Sequence, residues 1–181
     1  MKKKIAILGS TGSIGKSLIN ILKKDKKNVE VCLLTAHKNY KELYKQIKFF
    51  NVKNIIIKDT FAFFRLKKLL KHKKINISNN LESINKTLKT KKLDYTMSSI
   101  SGFNGLKPTL DIIRYSKTIA IANKESIICG WSLIKKNLKK YNTQFIPVDS
   151  EHFSIWSLTN NLFNNNIEKV FILSLIHISE P

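Results

Sequence analysis

Short apolar runs alternate along the chain with longer stretches whose apolar residues recur at three and four. Residues 5–8 (IAIL) have the length of a buried strand, and Ile14, Leu18, Ile21 and Leu22 then keep helical spacing up to a polar run over 23–28. A second strand is predicted over 29–36, followed by a helix striped by Tyr40, Leu43, Tyr44, Ile47 and Phe50. Residues 54–57 read as a strand, and 61–70 as a helix with Phe61, Phe64 and one or more of Leu66, Leu69 and Leu70 inward. A short strand over 75–77 and a weaker helix over 81–88 come next. The strand over 95–100 runs into a second glycine turn, 101–105, and feeds a helix with Pro108 in its first turn and a stripe of Leu106, Leu110 and Ile113. Residues 118–122 (TIAIA) form a strand of small and β-branched residues. The long helix after it is expected to turn Ile127, Ile128, Trp131, Ile134 and Leu138 inward. A strand over 144–148, broken by Pro147, precedes a helix over 153–158, and 169–173 reads as a further strand.

This alternation predicts an α/β, Rossmann-like doubly wound, mostly parallel sheet with helices on both faces. Ligands of such a sheet lie beyond the carboxyl ends of its strands. The first of those ends carries three of the chain's six glycines, Gly9, Gly12 and Gly15, with Ser10, Thr11 and Ser13 between them. Glycine admits positive φ and close backbone approach to a ligand, and the helix that opens in the turn aims free N–H groups and its positive dipole end at it. Strand, glycine turn and helix make a pyrophosphate cradle, although the spacing is GxxGxxG and not GxGxxG. A tight βα turn without a ligand is the alternative. The second strand ends in Ala36, His37, Lys38 and Asn39, with no acid to accept from an adenosine ribose. Its two potential cations favour a 2′-phosphate, hence NADP over NAD.

Composition changes this picture little. A chain of 181 residues holds one domain, or one domain and the beginning of another. With 33 basic and 12 acidic residues the formal charge is +21, which raises the question of nucleic acid. The lysines are spread over every predicted helix, with no basic stripe interleaved with aromatics, so they read as a solvated surface that also attracts a phosphorylated ligand. Cys32 and Cys129 lie in apolar segments without metal-ligand spacing. The basic start, Met1 to Lys4, precedes an apolar run too short for a signal peptide, and no run approaches membrane-spanning length. A cytoplasmic protein without nucleic-acid or membrane partners is expected.

Two further polar clusters sit at strand ends: Asn123-Lys124-Glu125, and Asp149-Ser150-Glu151-His152 after Pro147 and Val148. In an extended segment Asp149 and Glu151 would share one side and suit a hard cation such as Mg²⁺ or Mn²⁺. On spacing alone the better reading is the N-cap and first-turn acid of the following helix, and only the resemblance described next reverses that order.

GSTGSIG after the first strand, ANKES after the strand of small residues, and PVDSEH together resemble the 1-deoxy-D-xylulose 5-phosphate reductoisomerase family, in the family's order. The resemblance implies an NADPH- and divalent-metal-dependent enzyme (Mg²⁺, Mn²⁺ or Co²⁺) of non-mevalonate isoprene biosynthesis, acting on a small phosphorylated sugar. It implies NADPH contacts at Gly9, Thr11, Gly12, Ser13 and Ile14 and, around the 2′-phosphate end, at Ala36, His37, Lys38 and Asn39. Glycine is commoner in the family where His37 stands. Asn123 and Glu125 would also contact NADPH. Lys124, Ser150 and Glu151 would contact substrate, Asp149 and Glu151 would bind the metal, and Lys124, Asp149 and Glu151 would be catalytic. The implied organisation is an NADPH-binding domain over 1–147 and the beginning of a catalytic domain over 148–172, the longer parent being a homodimer. The family's glycine-containing substrate loop and further metal-binding glutamate do not follow. Residues 173–181 are expected to be a non-native tail, since one permitted coding of them resembles a transposase adapter used for sequencing libraries. This chain is accordingly expected to be inactive by itself. Another NADP-dependent reductase, such as a semialdehyde or homoserine dehydrogenase, and a basic nucleic-acid-binding protein are the alternative readings.

Overall fold

A computed structural model of the chain describes residues 1–89, 92–160 and 169. The expected strand over 169–173 and the tail over 173–181 lie outside the described residues, Lys169 apart. Seven strands are described: β1 (Lys3–Leu8), β2 (Val29–Ala36), β3 (Asn54–Ile57), β4 (Asn76–Ser78), β5 (Leu93–Ser98), β6 (Ser116–Ile121) and β7 (Gln144–Pro147). Between and after them run α1 (Ser13–Lys24), α2 (Tyr40–Phe50), α3 (Thr60–Leu69), α4 (Ile84–Leu88), α5 (Leu106–Ile113), α6 (Lys124–Tyr141) and α7 (Ser150–Asn160). The strands form one sheet in the order β4-β3-β2-β1-β5-β6-β7, and every pairing in it is parallel.

The order reverses at β1, which pairs with β2 on one side and with β5 on the other. Period-two geometry sends Ile5 and Ile7 into one hydrophobic cluster and Ala6 and Leu8 into a second, so β1 is buried on both faces. The first cluster takes Ile19 and Leu22 of α1, Leu43 and Ile47 of α2 and Ala62 and Leu66 of α3. The second takes Ile84 and Leu88 of α4, Ile112 and Ile113 of α5 and Ile134 and Leu138 of α6. The sheet is therefore doubly wound. Among the described residues no helix is long and apolar enough to cross a membrane.

Two helices are rotated from their expected phase. On α3, Phe61 and Phe64 are each 63% exposed, and the inward row is Ala62, Leu66 and Leu70. Asp59 sets that phase, its carboxylate accepting the Ala62 N–H at 2.8 Å. On α6, Ile128 is 77% and Trp131 40% exposed, while Gly130, Ile134 and Leu138 are buried. A Cβ at Gly130 would strike the side chain of Leu106, so the close crossing of α6 over α5 sets its rotation. The final helix also begins earlier than expected, at Ser150, which takes Glu151 out of an extended segment and into a first helical turn.

Candidate cofactor and metal site

The glycine turn follows β1 at the point where the sheet order reverses, and two of its three glycines are needed by the fold itself. Gly9 has φ +81°, and a Cβ on it would lie 2.6 Å from the Ser99 carbonyl oxygen after β5. Gly15 sits where a Cβ would run into the backbone of Gly9 and Ser10, so α1 packs directly on the turn. At Gly12 a Cβ would meet only the Gly9 carbonyl oxygen, at an ordinary 3.4 Å. Among the described residues nothing demands glycine there.

Gly12 is the N-cap of α1, and this helix start has neither a side-chain cap nor an acid in its first turn. Asn39, Asp59 and Asn123 by contrast cap α2, α3 and α6 with their side chains. The unmet N–H groups of α1 therefore stay available to an anion. The turn is fixed from β2: Thr35 Oγ1 accepts the Gly9 N–H at 2.9 Å and the Thr35 carbonyl accepts the Ser10 N–H at 2.8 Å. On the β5 side the Ser99 N–H and hydroxyl both donate to the Leu8 carbonyl, at 2.9 and 2.8 Å.

Two clefts open over the strand ends and meet at Gly12 and residues 99–101. The first, about 360 Å³, is lined by Gly9, Thr11, Gly12 and the β2 tip, Ala36, His37, Lys38 and Asn39. The second, about 380 Å³, is lined by Gly12, Ser13, Ile14, Asn123, Lys124, Glu125, Asp149, Ser150 and Glu151. The structure thus brings the three polar clusters singled out in the sequence into one continuous groove. Thr35, Lys58, Ser99 and Asn104 also line it and were not anticipated. Their signal is weak: a hydroxyl in an apolar strand, a lone lysine, a serine within a serine-rich run.

Asn123 faces the groove but is 3% exposed, and its side chain is committed to the fold. Its Oδ1 accepts the Ser126 N–H at 2.7 Å, and its Nδ2 donates to the carbonyls of Ile100 and of Gly102, the latter at 2.7 Å. A Cβ at Gly105 would collide with this amide, which accounts for the glycine.

Asp149 takes part in two arrangements at once. Its Oδ1 accepts from the His152 N–H at 2.9 Å and contacts His152 Nδ1 at 2.6 Å, capping α7. Its Oδ2 is buried with no hydrogen-bond partner. Burial pushes the carboxyl up, but the His152 backbone and ring bonds and charge together leave it below the usual value. Glu151 Oε2 accepts the Ser150 hydroxyl at 2.8 Å, which with the Lys124 charge holds its carboxyl low despite Asp149. Both carboxylates are ionised at neutral pH, and the orphaned Oδ2 fits a cation as its missing partner. Among the described residues no cluster of three His, Cys, Asp or Glu side chains stands ready for a metal, so the pair offers part of a coordination shell.

A sequence profile described as 1-deoxy-D-xylulose 5-phosphate reductoisomerase matches residues 5–130. The chain is 64% identical over 171 residues to the enzyme of that name from Pelagibacter ubique, the match covering 94% of this chain and 44% of that one. It superposes on the Zymomonas mobilis enzyme, solved in complex with NADPH, with a TM-score of 0.77 and 34% identity, over 84% of this chain and 40% of that one. A second solved enzyme, in complex with NADPH, fosmidomycin and magnesium, gives a TM-score of 0.78 at 27% identity over 86% and 38%. The chain thus spans less than half the length of the relatives it matches. The fold, the glycine turn and the matched profile agree, and the chain belongs to the 1-deoxy-D-xylulose 5-phosphate reductoisomerase family.

Proposed function

We propose that this chain forms the NADPH-binding part, and the first corner of the metal site, of a reductoisomerase that converts 1-deoxy-D-xylulose 5-phosphate to 2-C-methyl-D-erythritol 4-phosphate in isoprene biosynthesis. The observation that carries it is the single groove linking an uncapped helix start, a cationic strand tip and a carboxylate with an orphaned buried oxygen. The N–H groups of Thr11, Ser13 and Ile14 bind the pyrophosphate, with Gly12 giving it room to approach, and His37 and Lys38 take the 2′-phosphate. Asn123 and Glu125 border the nicotinamide end. Lys124, Ser150 and Glu151 contact the substrate, and Asp149 and Glu151 hold Mg²⁺, Mn²⁺ or Co²⁺. When bound, NADPH supplies hydride and the metal polarises substrate oxygens. Residues 1–147 are the cofactor domain and 148–172 enter the catalytic domain of a homodimeric parent. The basic surface draws in phosphorylated small molecules and serves no nucleic acid. Cys32, buried, and Cys129, exposed, suit a reducing cytoplasm.

Two carboxylates are few for a hard cation, so residues 1–181 alone bind cofactor without turnover. Calorimetry on the chain tests the cofactor reading. NADPH should bind about tenfold or more tightly than NADH, the effect of a charge-assisted phosphate contact. Equal affinities would overturn it. A parent of family length should consume NADPH only with both deoxyxylulose phosphate and Mn²⁺ present.

A further inference from the structure

Gln46 is 1% exposed on the inward face of α2, beside Leu43 and Ile47. An amide at a core position costs stability unless its groups are paired. Here Nε2 uses both hydrogens, donating to the Ser10 carbonyl at 3.0 Å and to Glu42 Oε1 at 3.1 Å. Its Oε1, and the hydroxyl of Ser10, are buried without a hydrogen-bond partner. The amide satisfies the buried carbonyl of Ser10, and in doing so it also fixes the direction in which that carbonyl points.

Covalent geometry passes that direction on to the next residue. The peptide between Ser10 and Thr11 is trans and planar, so its carbonyl and its N–H point in opposite directions. Holding the Ser10 carbonyl against α2 therefore turns the Thr11 N–H away from α2. Thr11 lines the groove, and among the described residues nothing accepts from its N–H. Glu42, the second partner of Gln46, donates its own backbone N–H to Asn39 Oδ1 at 3.1 Å, at the start of α2 next to His37 and Lys38.

We propose that Gln46 is a positioning residue for the cofactor pyrophosphate. By pinning the Ser10 carbonyl it aims the Thr11 N–H into the groove, and it leaves the strand tip that takes the 2′-phosphate unaltered. This rests on the NADPH reading above. Gln46 touches no ligand itself.

The test uses the 181-residue chain, its Gln46→Leu and Gln46→Glu variants, and three probes: NADPH, NADH and adenosine 2′-monophosphate, which lacks a pyrophosphate. Gln46→Leu should weaken NADPH and NADH alike by about tenfold, the effect of one misdirected hydrogen bond to a charged group. Its adenosine 2′-monophosphate affinity should stay within about twofold of wild type, and its melting temperature should fall by only a few degrees, the effect of leaving the Ser10 carbonyl without its donor. Gln46→Glu keeps the shape but faces the Ser10 carbonyl with an acceptor, and should bind the dinucleotides no better than Gln46→Leu. Unchanged dinucleotide affinity in either variant would overturn the proposal. So would a parallel loss of all three probes, which marks general loosening of α2. The NADPH reading fails separately, as equal binding of NADPH and NADH by the wild-type chain.

Discussion

Asp149 and His152 meet through one carboxylate oxygen: His152 reaches Oδ1 with both its backbone N–H and its ring nitrogen, and Oδ2 is left buried and unpaired. One oxygen holds the helix and the other is left for a further partner. Mn²⁺ should bind the chain weakly, and Asp149→Asn should lower that affinity by about tenfold or more, as loss of a ligand does. NADPH affinity should stay within about twofold, since Asn still caps α7. Electron paramagnetic resonance of free Mn²⁺, beside calorimetry with NADPH, reads both. If NADPH affinity fell with metal affinity, Asp149 would be a cap only.

The glycines of the turn should separate fold from function. Gly12→Val adds atoms where only the Gly9 carbonyl stands near, on a backbone of φ −75° and ψ 175° that valine accepts. Its melting temperature should hold while NADPH binding is lost, because the added side chain occupies the place of the pyrophosphate. Gly15→Ala forces a methyl into the turn's backbone and should cost about 1–3 kcal/mol or more of stability. Thermal melts beside calorimetry distinguish the two. A large drop in the Gly12→Val melting temperature would show that Gly12 serves the fold.

Asn123→Ala removes the cap of α6 and leaves the Ile100 and Gly102 carbonyls without their donor. A cap alone contributes about 0.5–2 kcal/mol, and the orphaned carbonyls add to it. Denaturant unfolding should show a loss at the upper end of that range or above. Asn123→Asp keeps the cap but turns a carboxylate oxygen onto the two carbonyls, and should be no more stable than Asn123→Ala.

Asp94 works at the amino ends of the strands, across the sheet from the groove at their carboxyl ends. Its carboxylate accepts from Lys117 Nζ at 2.7 Å and from the Lys4 N–H at 2.8 Å, tying β6 and β1 to β5. The Lys117 bond, then the Lys4 bond, hold its carboxyl below the usual value. A depressed folded-state value means the stabilisation is complete above the unfolded value of about 3.9 and is lost as pH falls through the lower folded value. The lysine arm is largely in water, so Asp94→Asn should cost about 1 kcal/mol or less near neutral pH. Urea melts should show that difference flat from about pH 7 to 5 and closing below about pH 4, with NADPH affinity unaltered.

The sheet and most element types were legible because apolar runs and helical spacing are local: β1, β2, β3 and α2 stand where the pattern puts them. Rotational phase was not. The eye follows the largest side chains, and Phe61, Phe64, Ile128 and Trp131 proved exposed because Asp59 and the Gly130–Leu106 crossing fix the two helices. The groove's clusters were visible as glycines, cations and acids beside strand ends. Gln46, Thr35 and Ser99 were not, since each acts through a backbone group 26 to 91 residues distant. Only the folded chain shows those partners.

The place of β1 between β2 and β5 also governs when the site comes into being. As the chain is made, β1 can pair with β2 early, but its other edge waits for a strand beginning at Leu93. Closing so long a loop is entropically costly and slow, and until then β1 offers an open edge to any passing strand. The floor beneath Gly9, the Ser99 backbone, arrives with that same late strand. A half-made sheet would therefore carry the glycine turn without its pocket. A dinucleotide bridging the β1–β5 seam would recognise only the finished sheet, and at about 100 times its dissociation constant would add about 2.7 kcal/mol against its opening.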